Sequence, residues 1–298
     1  MALNKEIWID SIVGNLFKDS SFLANAVNHS AFVNGKTVHV PNAGSAPVVT
    51  KNRNSFPASV DGRTDYDLSY TIDEFTTAPF RISNAEEVEL SYDKRESIVS
   101  ACRQALIEAV AEAVIANWVP SGYDLVQTTG SSTAHYLASQ TGNRKAVAIA
   151  DILEVKKKFD AANIPQEGRC ALLDYEMYSQ LLGALSASQA NAFLATADAS
   201  KGIVGTLYGF TFFVRSSVLR TVAAGTSLAE SASATDQGAG LFWQKDCVSV
   251  AMGETDLFEA QNDPTYYGDI VSALVRAGGK YMRYDKKGVV VLAQATQS

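Results

Sequence analysis

The sequence predicts an α+β fold in which one domain is interrupted by another. Three observations carry that prediction. The stretch 91–118, SYDKRESIVSACRQALIEAVAEAVIANW, reads as one long amphipathic helix. Before it, two alternating strands at 36–41 and 68–75 are separated by the weakly patterned residues 42–67. After it, an Ala-, Ser- and Gly-rich stretch, 123–245, mixes helix and strand signals, and strand signals then return from 246 to the end.

The helix is the clearest element. Apolar or small residues recur at Ile98, Val99, Cys102, Leu106, Ala109, Val110, Ala113, Val114 and Trp118. That is the i, i+3/i+4, i+7 stripe of a helix with one buried face. Asp93 can cap the first turn with Glu96 three residues on, and Pro120 and Gly122 close the far end. At about 1.5 Å per residue the rod is about 38 Å long, so it needs a long surface to lie on. The strands of 248–294 in the same subunit are the expected surface.

Residues 4–27 form an apolar arm with Ile7, Trp8, Ile9, Ile12, Val13, Leu16, Phe17, Phe22, Leu23 and Val27, broken at Asp19-Ser20-Ser21. Such an arm packs either on its own domain or on a neighbour. The strands at 36–41 and 68–75 cannot form a tight hairpin, because irregular connections beyond about 12–15 residues are uncommon unless they have a job. The expectation is a projecting two-stranded arm that finds its partners on another subunit and is mobile without them, as isolated hairpins are marginal in water.

Within 123–245 the pattern predicts a helix at 149–162 stopped by Asn163 and Pro165, a buried strand at 170–173, and a short helix at 175–182 capped by Asp174. A strand at 207–215 and an exposed, mobile loop at 221–240 follow. Strands are expected at 241–243, 248–252, 268–284 and 288–294, the last two joined by a turn at 285–288.

Composition narrows the function. A net charge of −7 argues against a nucleic-acid-wrapping surface, which needs excess Lys and Arg. Cys102, Cys170 and Cys247 lie in apolar contexts and are expected to be buried free thiols, which suits a reducing compartment. The first residues carry Lys5, Glu6 and Asp10 and no apolar core of a signal peptide, and no apolar run approaches a membrane span. Synthesis and folding in the cytosol are expected.

No motif supports catalysis, a metal or a cofactor. Ser30-Ala-Phe-Val-Asn-Gly-Lys-Thr37 imitates a phosphate loop, but it lacks the first Gly and precedes a strand where a helix must begin. Asp61, Asp65 and Asp67 could hold calcium, yet Arg63 sits inside the cluster and the ligand spacing is missing. His29, His39 and His135 are isolated, without the spacing of a zinc site. Asn28-His-Ser30 is a glycosylation sequon without meaning in the cytosol. No carboxylate is expected to stand in an apolar run that would perturb it.

The serial order of these parts resembles the major capsid proteins of tailed double-stranded DNA phages with the Hong Kong 97-type fold. The resemblance covers nearly the whole chain, and is carried by the lead-in and long helix at 85–118, the helix–turn–strand series at 152–182 with Pro165, Gly168-Arg169 and Asp174, the strand GFTFFVRS at 209–216, and the closing stretch from 263. It implies an N-terminal arm at 1–35, an extended loop at 36–82, a peripheral domain with its spine helix at 83–122 and 246–298, and an axial domain at 123–245. It implies a non-enzymatic function, self-assembly as hexamers and pentamers into an icosahedral shell around the genome, with a portal and possibly scaffolding or decoration proteins as partners. The location would be the virion capsid, assembled in the host cytoplasm, with a neutral or acidic lumen. An encapsulin-like compartment shell shares the fold, and a soluble enzyme or ligand-binding protein with an interrupted domain is the rival of another class. The chain starts directly at the arm, without the long N-terminal segment that some relatives carry and cleave. As a primary product it would take its scaffolding from a separate protein or none, whereas in a mature form the initiating Met would be hard to explain. Lys51 lies in a loop where some relatives cross-link, but no Asn or assisting carboxylate matches. Lys51, Arg53 and Arg63 of the loop and Glu86, Glu87 and Glu89 of the lead-in are the expected inter-subunit charges.

Overall fold

The computed structural model describes residues 16–32, 36–54, 56–58, 60, 62–83, 94–223, 225–229 and 232–297, without the side chains of Lys94, Gln261 and Asn262. The expected Asp93 cap, residues 1–15 of the arm and Glu86, Glu87 and Glu89 lie outside them.

Helix α1 spans Lys94–Trp118, and its buried stripe is Cys102, Leu106, Val110, Ala111, Val114, Ile115 and Trp118. Ala109, expected inside, is exposed. The stripe packs on two long antiparallel strands, β14 (Val248–Asp263) and β15 (Gly268–Tyr281), as expected for a surface within the same chain. Trp118 Nε1 donates to the Ser249 carbonyl at 2.8 Å, which fixes the helix end to the sheet. Strands β1 (Val27–Asn28), β4 (Asp73–Thr76) and β5 (Phe80–Ser83) complete this five-stranded sheet.

Strands β7 (Ser132–Ala134) and β8 (Asn143–Lys145) pair with each other, and a second large sheet has seven strands. Its main path is β10 (Ile203–Leu207), β11 (Phe210–Arg215), β9 (Arg169–Asp174), β13 (Gln237–Gln244), β16 (Val289–Ala293) and β6 (Asp124–Gln127). Strand β12 (Leu219–Thr221) pairs with β13 at one end. The two-residue period of a strand sorts the side chains into two layers. Cys170, Leu172, Leu241, Trp243, Val289 and Val291 join α1 and the first sheet in one core. Ala171, Leu173, Phe242, Val290 and Leu292 face helices α2 (Ile149–Ala161), α3 (Tyr175–Ala184) and α4 (Ala187–Leu194) in another. The sheet is buried on both faces, so its central strands are continuous apolar runs.

Several expectations shift. The strand expected at 207–215 is a hairpin, turned at Tyr208 (φ 51°) and Gly209 (φ 86°), the left-handed pair that a two-residue turn requires. The expected loop at 221–240 contains the start of β13, whose residues 237–240 are fully enclosed. The closing strands β15 and β16 follow one another through the expected turn but do not pair. β15 belongs to the five-stranded sheet and β16 to the seven-stranded one. The 246–298 block is therefore divided by sheet membership, and the stretch from 123 to 245 shares one of its two cores with α1.

The cysteines are buried and free, and burial pushes the Cys170 and Cys247 thiols up, to about 12 and about 11. Asp174 departs from the sequence reading. It ends the apolar strand β9, caps α3 by accepting from the Met177 N–H (2.8 Å), and accepts from the Tyr136 hydroxyl. Burial raises its carboxyl to about 6, outweighing these two hydrogen bonds, which pull it down. An apolar run ending in Asp was a visible signal of this. In the unfolded chain the group titrates near 3.8. Between these values the folded state keeps a proton that the unfolded state has released, so this group's contribution to stability falls as pH rises from about 4 to about 6. The loss is on the order of 3 kcal/mol. Asp174→Asn retains a cap acceptor and removes the titration. Denaturant midpoints of unassembled subunits should show the variant gaining on the wild type through this window, and a pH-independent difference would refute the assignment.

Candidate inter-subunit surface

Strands β2 (Thr37–Asn42) and β3 (Tyr66–Thr71) form a separate two-stranded ladder, in register from Thr37 opposite Thr71 to Asn42 opposite Tyr66. Alternation buries one side of its base. Val38, Tyr70 and Ile72 pack on Ala251 of β14. Tyr66 stacks on Tyr284 at 4.1 Å with the rings 3° apart, Asn42 Oδ1 accepts from the Tyr284 N–H (3.0 Å), and Lys280 Nζ donates to the Ser69 carbonyl (3.1 Å). His29 Nδ1 lies 2.9 Å from the Tyr70 hydroxyl, and His39 pairs with Asp67 at 2.6 Å. The hairpin is thus seated on its own subunit at the base, while the described residues 43–54, 56–58, 60 and 62–65 lie beyond the ladder.

That extension carries the expected cations. Lys51 and Arg53 are exposed, and Arg53 Nη2 donates to Thr50 Oγ1 at 3.4 Å. Arg63 forms a two-pronged pair with Asp65, at 2.6 and 3.1 Å, so it has an acid partner within the loop itself. The pair holds the Asp65 carboxyl below its ordinary range and raises the Arg63 guanidinium. Gly44 N–H also donates to Asp65 (2.9 Å), which ties the two sides of the loop together. The acids considered for calcium are committed elsewhere: Asp65 to Arg63, Asp67 to His39. Asp61 lies outside the described residues.

Sequence reasoning missed the apolar content of the loop. Val48, Val49, Phe56 and Val60 are 80%, 91%, 77% and 97% exposed. Side chains of this size each stabilise by about 1.5–3 kcal/mol when buried, so four of them outweigh the charges beside them. Their signal is present as valines and a phenylalanine set between Gly, Pro and Asn in the weakly patterned stretch 42–67. A second exposed apolar group lies along the far half of the β14–β15 pair, with Phe258, Tyr266 and Tyr267. Among the described residues no group of His, Cys, Asp and Glu could hold a metal ion, and no helix is long and apolar enough to cross a membrane.

No family model matches the chain. No curated protein matches it either. Solved structures do. The chain is similar to one in the capsid of the cyanophage P-SCSP1u, with a TM-score of 0.69 at 17% identity, covering 99% of this chain and 94% of that one. A chain of the Ralstonia phage GP4 capsid gives 0.68 at 13%, covering 99% and 96%. A chain of Mycobacterium phage Che8 gives 0.66 at 16%, covering 98% and 97%. Across almost its whole length the chain has the fold of these phage capsid chains, the Hong Kong 97-type fold.

Proposed function

We propose that this chain is a major capsid protein, the structural subunit of an icosahedral shell that encloses the double-stranded DNA of a tailed phage. The observation that carries this is a capsid fold along the full chain together with a hairpin whose apolar end is left exposed by the described residues. The subunits would assemble as hexamers and pentamers in the host cytoplasm, with a portal and possibly scaffold or decoration proteins. The functional division is an arm at 1–35, an extended loop at 36–82, a peripheral part at 83–122 and 246–298, and an axial part at 123–245. Strand β16 gives its hydrogen bonds to the axial sheet. Weak contacts suffice, because a closed shell holds each subunit at many points at once.

Purified protein examined by sedimentation and electron microscopy should form particles in the megadalton range, and particles from infected cells should contain DNA. A small oligomer under all conditions would sink the shell reading, and particles packed with protein would favour a compartment.

Within the shell, Lys51, Arg53 and Arg63 would meet Glu86, Glu87 and Glu89 of a neighbour. Exposed ion pairs contribute about 0–1 kcal/mol each, so they set register more than strength. The double reversal Arg53→Glu/Arg63→Glu should leave the subunit folded and lower shell yield several-fold. Because Arg63 pairs with Asp65 in its own loop, Arg53→Glu alone is the cleaner probe, and normal yield from both variants would refute the pairing.

A further inference from the structure

One face of α1 is left uncovered by the described residues and is shaped to receive something. A cavity of about 520 Å³ runs along it, lined by Phe75 and Phe80 on one side and by Ser97, Ile98, Ala101, Cys102, Ala105 and Ala109 of the helix. Phe17 lines the same groove, and the chain reaches it from a fixed point. Lys18 is held on the helix by its N–H donating to Glu108 Oε2 (3.3 Å) and by its ammonium paired with Glu108 (3.4 Å) and Glu112. Leu16, one residue further out, is 100% exposed. The chain toward residue 1 therefore leaves the described region at the Glu108 end of the groove.

The sequence before that point matches the groove in chemistry, length and spacing. Trp8, Ile9, Ile12, Val13, Leu16 and Phe17 recur as adjacent pairs every four residues, the stripe of an amphipathic helix. Ala101, Ala105 and Ala109 repeat at the same interval on α1, and small side chains let a second helix approach closely. From Ser97 to Ala109 the groove runs about 18 Å, and a helix from residue 5 to Phe17 has the same rise. With Phe17 near Ala109, one helix beside the other brings Val13 to Ala105 and Ile9 to Ala101. The segment at 84–93, also outside the described residues, carries Glu86, Glu87, Glu89 and Asp93 and suits an apolar groove poorly.

We propose that residues 5–16 of the same chain fold as a helix into this groove, parallel to α1, and that the groove is the cis docking site of the N-terminal arm. This rests on the groove and the sequence, and stands apart from the shell reading. Of the two alternatives open for the arm, the proposal takes packing on its own domain.

Cysteine pairs test the register in unassembled full-length subunits, the native thiols being buried. Val13→Cys/Ala105→Cys and Ile9→Cys/Ala101→Cys should cross-link within one chain through a short bis-maleimide, at least five-fold faster than the out-of-register Val13→Cys/Ser97→Cys. Equal rates for all pairs, no cross-link in any, or covalent dimers from mixed single variants would overturn the proposal, the last assigning the groove to a second copy. Fluorescence gives a second readout. Trp118 and Trp243 are fully buried, so Trp8 dominates iodide quenching. Ala105 is exposed, so Ala105→Glu leaves α1 intact and should raise the quenchable fraction at least two-fold. An unchanged fraction would refute cis docking.

Discussion

Subunits carrying Val49→Asp and Val60→Asp should fold normally and fail to form shells. Both side chains are almost wholly exposed in the single chain, so the substitutions remove no packing there and should leave the thermal midpoint within a degree or two of wild type. In a shell the situation reverses. Each valine buried against a neighbour contributes about 1.5–2 kcal/mol, and a carboxylate in its place must also give up its water without a partner. The combined penalty, several kcal/mol at every loop, repeats at every contact of a closed shell and should lower particle yield by more than ten-fold. Sedimentation velocity and electron microscopy read the yield, and circular dichroism melts of the unassembled fraction read the fold. The comparison with Arg53→Glu is informative in itself. If the charge reversal proves more damaging than the two aspartates, the loop binds through its ion pairs and the apolar account of its end is wrong.

The parts of this protein that were legible in its sequence are those whose partners are local or whose periodicity is long. Helix α1 was visible because a stripe repeated over many turns has few competing explanations, and the caps at Asp174 and Asn163 are set by neighbouring residues. Pairing over long distances was not visible. Nothing in the apolar run of β16 says that it hydrogen-bonds β13 and β6 and not β15, the strand that precedes it in the chain. The start of β13 reads as loop in the sequence because Gln237-Gly-Ala-Gly240 is small and weakly patterned. The fold needs small residues there, since a Cβ on Gly240 would come within 2.5 Å of the Leu173 side chain. At the candidate interface the cations were found by type and loop position, whereas the four apolar side chains were hidden by the turn residues around them.

Trp118→Ala should be the most damaging single change in the isolated subunit. The side chain is fully buried where α1 meets both sheets. It stands edge-on to Phe22 at 5.9 Å and tilted against Trp243 at 5.3 Å, and its Nε1 donates to the Ser249 carbonyl. Phe22 also meets Trp243 edge-on, so the three rings hold residues 21–25 to the core. Truncating a buried aromatic to Ala costs about 3–5 kcal/mol through lost transfer and the cavity left behind. The lost Nε1 hydrogen bond adds about 1 kcal/mol. Against a total stability of about 5–15 kcal/mol, this places the variant near the limit of folding. Trp118→Phe keeps most of the ring volume and loses the hydrogen bond, so a loss of about 1–2 kcal/mol is expected and remains measurable if the alanine variant does not fold. In guanidinium titrations the midpoint should fall with an unchanged slope, since the surface exposed on unfolding is nearly the same. A loss below about 1 kcal/mol for the alanine variant would mean that α1 is not held to the two sheets through this residue, and the shared core would have to be placed elsewhere.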